Sequence, residues 1–136
     1  MLPNQTLHPA YFETCFRQEE SFSDWPDEFA IITAYATTGE TWTDEQNEAA
    51  DRALEADLRK TGKWMRRLTG YSPTTGHGEP GWAVEIGLQD ACEIGLRYQQ
   101  HAIYFVSGDD LRVTLCDDQR ELVAVGAFRE RVGPVG

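Results

Sequence analysis

The sequence predicts an α+β fold: a mainly antiparallel sheet of ferredoxin-like, split β-α-β type, with helices on one face, an extra N-terminal helix and a C-terminal strand meander. Three observations carry this expectation. Apolar runs of strand length and amphipathic helical segments follow one another as β-α-β-β-α-β over residues 29–106, and two further alternating segments close the chain. A chain of 136 residues also suits one domain with one core. The expected organisation is a single domain over residues 1–136, made of a helix and loop extension (1–28), the β-α-β-β-α-β core (29–106) and the meander (107–136).

The first helix is placed from Pro9, a residue suited to the first helical turn, because Tyr11, Phe12, Cys15 and Phe16 share one stripe. Residues 29–36 are apolar on both alternating faces, which predicts an interior strand. Thr43-Asp44-Glu45-Gln46 has the form of a capping box, with acids where the helix dipole favours them, so a helix follows to about Lys60 with Gly62 as terminator. Its buried stripe is Ala50, Ala53, Leu54 and Leu58, with Asn47 one turn earlier. Residues 63–71 form a strand with Trp64, Arg66 and Leu68 on one side and Met65, Arg67 and Thr69 on the other. A long loop over 72–81 joins it to the strand of Trp82, Val84 and Ile86. Residues 88–100 have helical spacing, residues 102–106 read as a short apolar strand, and residues 111–116 and 122–128 alternate.

The chain holds 23 acids against 12 bases, a formal net charge of −11, so a nucleic-acid backbone and an anionic membrane surface are excluded as bulk partners. The charge is uneven. Residues 1–62 hold thirteen acids and four bases, whereas residues 63–87 hold two acids and three bases. That second stretch leaves one local place for a small anionic ligand. No basic-then-apolar leader opens the sequence, and no run approaches the roughly 18 apolar residues of a membrane span. Cys15, Cys92 and Cys116 are odd in number and widely spaced, reading as reduced core residues. A cytoplasmic location is expected.

No nucleotide fingerprint, zinc spacing or nucleophile elbow is present, and no cofactor or metal is expected. Asp109-Asp110 and Asp117-Asp118 read as turn residues. Asn47 lies on a buried helical stripe where its amide needs partners, either the backbone of the 37–42 loop or a ligand. His77 and Glu79 share the long loop and suit general acid–base chemistry, or else a solvated turn. Arg66 or Arg67 could meet Glu85 across the hairpin, and Arg66, on the side of Trp64 and Leu68, could hold an anion. Gln99-Gln100-His101 reads as a helix cap.

Several motifs resemble a family of short bacterial proteins known as domain of unknown function 3293. They are Ile31-Ile32-Thr33-Ala34-Tyr35, Asn47 with Leu54 and Leu58, Gly70-Tyr71-Ser72-Pro73, Glu79-Pro80-Gly81-Trp82 and Gln100-His101-Ala102-Ile103. Members follow the Ile-Thr-Ala strand with Asn-Pro, where this chain has Ala36-Thr37. The resemblance implies no activity, but it points to Asn47, Glu79 and Gln100 as its polar positions and includes Tyr35.

Three functions follow from these residues. The first is a non-catalytic binding or interaction module, with a homodimer through a sheet edge or face. The second is a small hydrolase or transferase for a polar anionic metabolite, its pocket lying between Asn47, the His77–Glu79 loop and Gln100, with Glu79 as base and Arg66 holding the anionic group. The third is an acidic mimic of nucleic acid, which requires carboxylates gathered on one surface at phosphate-like spacing.

Overall fold

A computed structural model of the protein describes residues 9–18, 25–35, 42–116 and 121–133. A turn of 3-10 helix, Pro9–Phe12, leads into β1 (Cys15–Gln18). Then come β2 (Glu28–Thr33), α1 (Asp44–Arg59), β3 (Met65–Tyr71), β4 (Gly78–Val84), α2 (Leu88–Arg97) and β5 (Ala102–Ser107). The last elements are β6 (Asp110–Leu115), β7 (Val123–Ala127), the single turn α3 (Phe128–Arg131) and β8 (Val132–Gly133). All of these strands join one sheet in the order β7-β6-β5-β2-β4-β3-β1-β8. The sheet is mixed, because β1 and β8 run parallel while the other neighbours run antiparallel. It curls into a half-barrel.

The ferredoxin-like expectation is therefore corrected, and with it the N-terminal helix. Residues 15–18 hydrogen-bond along β3, with Phe16 opposite Gly70, and Phe16 enters the half-barrel interior at 1% exposure. The helical spacing of Tyr11, Phe12, Cys15 and Phe16 was overruled by this long-range ladder. The meander is also interrupted: α3 turns the chain after β7 so that β8 can join β1 on the opposite edge.

Curling gives the sheet two buried faces. The outer face packs Ile32, Trp82, Val84 and Phe105 under Leu54 and Leu58 of α1 and Ala91, Cys92 and Ile94 of α2. The inner face gathers Phe16, Phe29, Ile31, Leu68, Tyr104 and Phe128. Cys92 and Cys116 are buried thiols, and Cys15 is half-buried. Among the described residues, no helix is long and apolar enough to cross a membrane.

Local signals act where they were read. The Thr43 hydroxyl accepts from the Gln46 amide at 3.1 Å, and the Gln46 side chain accepts from the Thr43 amide at 2.8 Å, closing the capping box. Gly62 takes a left-handed φ of 69° just after the helix. On α1 it is Asp51, with Leu54 and Leu58, that is buried, whereas Ala53 is exposed. The expected 72–81 loop is shorter, because Gly78 to Gly81 continue β4 opposite Tyr71 to Leu68. Pro80 is tolerated there because β2 stops pairing at Thr33, opposite Gly81, so no neighbour on that side needs a proline N–H. Helix α2 ends at Arg97 because Gln99 turns left-handed at φ 61°, which lets the Gln100 amide donate to the Gly95 carbonyl at 2.8 Å.

Candidate functional site

The half-barrel interior has two unlike ends. Around the start of β2 and β3, Trp25, Phe29, Trp64 and Phe128 fill the space, with ring centroids 4.9 Å apart for Trp25–Phe128 and 5.3 Å for Phe29–Phe128. At the other end, past the last residues of β2 and β3, the interior opens into a cavity of about 170 Å³. Its apolar walls include Phe16, Ile31, Leu68, Ala102 and Tyr104.

Small residues make this space. The inward positions of β3 and β4 beside the cavity are Gly70 and Gly81. A Cβ on Gly81 would lie 2.7 Å from the Ile32 carbonyl oxygen, so only glycine lets β4 approach β2 this closely. A Cβ on Gly70 would press on the Thr14 methyl at 3.3 Å. The segment before β1 borders the cavity and is held by side chains from elsewhere. The Tyr104 hydroxyl donates to the Tyr11 carbonyl at 2.7 Å, and Arg131 Nη1 donates to the carbonyls of Phe12 and Thr14 at 2.9 and 3.0 Å.

Polar side chains converge on the cavity. His77 Nε2 lies 3.1 Å from Glu79 Oε2, with the histidine side chain 71% exposed and the glutamate 33%. Gln100 is buried and donates from Nε2 to the Tyr35 carbonyl at 2.8 Å and to the Tyr98 carbonyl at 3.2 Å. Burial raises the Tyr104 pKa well above the ordinary tyrosine range, and the Glu79 charge adds a lesser push in the same direction. Chemically, the arrangement offers an apolar pocket with a carboxylate–imidazole pair and an amide along its border.

Of the residues singled out in the sequence, His77, Glu79 and Gln100 border this cavity, while Asn47, Arg66 and Tyr35 do not. Asn47 therefore does not share this cavity with Glu79 and Gln100. Asn47 stands half-buried on α1, whose buried side covers the outer face of the sheet, and its backbone amide donates to the Thr43 carbonyl at 3.0 Å. Its expected backbone partners at 37–41, like Ala36-Thr37 and Asp117-Asp118, lie outside the described residues. Tyr35 contributes its carbonyl to Gln100, and its phenol pKa is raised by burial first and then by Asp51 and Glu48. Arg66 donates to the Met65 carbonyl at 2.9 Å and lies over the Trp64 ring at 5.1 Å. Glu85 meets neither arginine. Arg67 instead holds both oxygens of Asp51, at 2.9 and 2.7 Å, donates to the Gly81 carbonyl at 3.2 Å, and covers the Trp82 ring at 4.0 Å.

Sequence reasoning missed Tyr104, Gly70, Gly81 and Asp51. The glycines carried a readable signal, since glycine inside a strand marks a close backbone approach. Asp51 lies one helical turn from Asn47 and from Leu54 on the covered stripe, where an unpaired acid is costly. Tyr104 gave none, because it sits in a uniformly apolar run.

The family resemblance read from the motifs holds. A family model described as protein of unknown function (DUF3293) matches residues 32–103, more than half of the sequence, and the chain belongs to that family. No curated protein and no solved structure matches it.

Proposed function

We propose that this member of the DUF3293 family is a binding module for a small molecule, held in the open mouth of the half-barrel. One observation carries the reading: a largely apolar cavity bordered by the convergent polar groups of Glu79, His77 and Gln100. Small-ligand sites combine these features, and barrel mouths are a common place for them. The basic residues behind the expectation of an anion are engaged elsewhere, Arg67 with Asp51 and Arg66 over Trp64, so the ligand is read without an anionic requirement.

The test is a thermal-shift screen of small fragments on the wild type and on Ala102→Leu, which fills the cavity from the β5 wall. Fragments that raise the melting temperature of the wild type and not of the variant support the reading. A screen in which no fragment acts, or in which both proteins respond alike, contradicts it.

A second reading, a small hydrolase or transferase, is favoured by the His77–Glu79 contact, the kind of pair that can move a proton. Turnover of a bound compound that disappears in His77→Ala while its binding persists would select this reading. The nucleic-acid mimic has no such support. On α1, Glu55 is held by Arg59, and Asp57 by Lys60 and Arg97, so these carboxylates do not form an unpaired row.

A further inference from the structure

We propose that the ligand is a small amine: a cationic N–H group received by Glu79 and Gln100, carried on an apolar body about the size of a benzene ring. This rests on the cavity being the binding site and names the chemistry of what enters it.

Gln100 is 6% exposed, and both carbonyls it touches, of Tyr35 and Tyr98, can only accept. The amide nitrogen must therefore face them, which fixes the orientation of the side chain. Its oxygen remains, an acceptor that receives no hydrogen bond from the described residues. The Thr33 hydroxyl donates to the Pro80 carbonyl at 2.8 Å and receives the Tyr35 amide at 3.1 Å. The Tyr104 hydroxyl proton goes to Tyr11. Ser72 differs, since its oxygen accepts from the amides of Thr74 and Thr75 and its proton is uncommitted, but it belongs to the exposed end of the hairpin. At this part of the border, then, the Gln100 oxygen and the Glu79 carboxylate are lone-pair acceptors that can receive an entering N–H group.

Charge points the same way. Glu79 borders the cavity, and among the described residues neither lysine nor arginine does. Arg131, the nearby cation, is committed to the carbonyls of Phe12 and Thr14. The histidine that meets it is mostly exposed, so an entering ammonium group competes with a weak, solvated partner. A net charge of −11 also raises the local concentration of cations over anions. For size, apolar cavities of about 150 Å³ accept benzene, and this one measures about 170 Å³.

The experiment is calorimetric titration of benzylamine, benzyl alcohol and benzoate into the wild type, Glu79→Gln and Ala102→Leu. Benzylamine is expected to bind the wild type about tenfold or more tightly than benzyl alcohol, as a charge-assisted contact implies, and benzoate least. Glu79→Gln should abolish the preference for benzylamine over benzyl alcohol. Benzoate binding as tightly as benzylamine, or a preference that survives Glu79→Gln, overturns the amine proposal and leaves the cavity standing. The cavity itself is judged by benzyl alcohol: no binding to the wild type, or equal binding to Ala102→Leu, overturns the binding site.

Discussion

The side-chain amide of Gln100 donates to the main-chain carbonyl of Tyr35 at 2.8 Å, tying the start of β5 to the chain that leaves β2. The same amide reaches the Tyr98 carbonyl, so one buried side chain satisfies two backbone acceptors at the edge of the cavity. Gln100→Leu keeps the volume and strands both carbonyls. The expected cost is about 1–3 kcal/mol, read as a lower urea midpoint with an unchanged slope. An unchanged midpoint would show that water serves these carbonyls equally well.

Asp51 and Arg67 join α1 to β3 with side chains 11% and 20% exposed. Asp51→Ala leaves the guanidinium under α1 without its carboxylate, and the expected loss is about 3 kcal/mol. The pair Asp51→Leu with Arg67→Met should recover most of that loss, because well-packed apolar groups replace such ion pairs at little cost. A double variant no more stable than Asp51→Ala contradicts this view.

The helix ends are clamped by the Tyr98 hydroxyl, which donates to Asp57 Oδ2. That hydrogen bond, above all, holds the Asp57 pKa below its ordinary value of 3.8, while burial and the same bond push Tyr98 up to about 12. The folded carboxyl pKa is depressed, so its stabilisation is present above the unfolded value and lost as pH falls through the folded one. The folded phenol pKa is raised, so its contribution is full below the unfolded value of 10.0 and is lost as pH rises toward about 12. Tyr98→Phe should flatten both limbs of a stability–pH profile from denaturant melts. The alkaline limb will persist in part, because Tyr104 and Tyr35 are raised too. A variant profile identical to the wild type would contradict the clamp.

Two backbone positions give opposite signs. Gly81→Ala forces a Cβ against the Ile32 carbonyl and should cost more than about 2 kcal/mol, since β2 and β4 must separate. Gln99→Gly relaxes a left-handed residue at φ 61° and should raise stability by up to about 1 kcal/mol. Melting temperatures of the two variants, measured side by side, check both signs.

What the sequence made legible was local. The capping box of Thr43 and Gln46 and the left-handed Gly62 depend on neighbouring residues, and they form as read. The edges of the sheet depend on distant partners. Nothing within residues 9–18 reveals that Phe16 will lie opposite Gly70 on one side and Val132 on the other. The curl that turns a sheet face into an interior follows from those pairings, so the cavity was not legible either. Its border was legible in part. His77, Glu79 and Gln100 stood out as polar residues beside apolar strands, whereas Asn47 stood out equally and lies on α1, against the outer face. A polar residue on a buried stripe signals that a partner is needed, not which side of the sheet provides it.

The half-barrel mouth as the binding site is tested most directly by amide chemical shifts of isotope-labelled protein during a benzyl alcohol titration. Saturable shifts are expected at Gly70, Tyr71, Glu79, Gly81, Gln100 and Ala102, with Asn47, Asp51 and Glu55 on α1 little changed. Shifts centred on α1, or none that saturate, would contradict it.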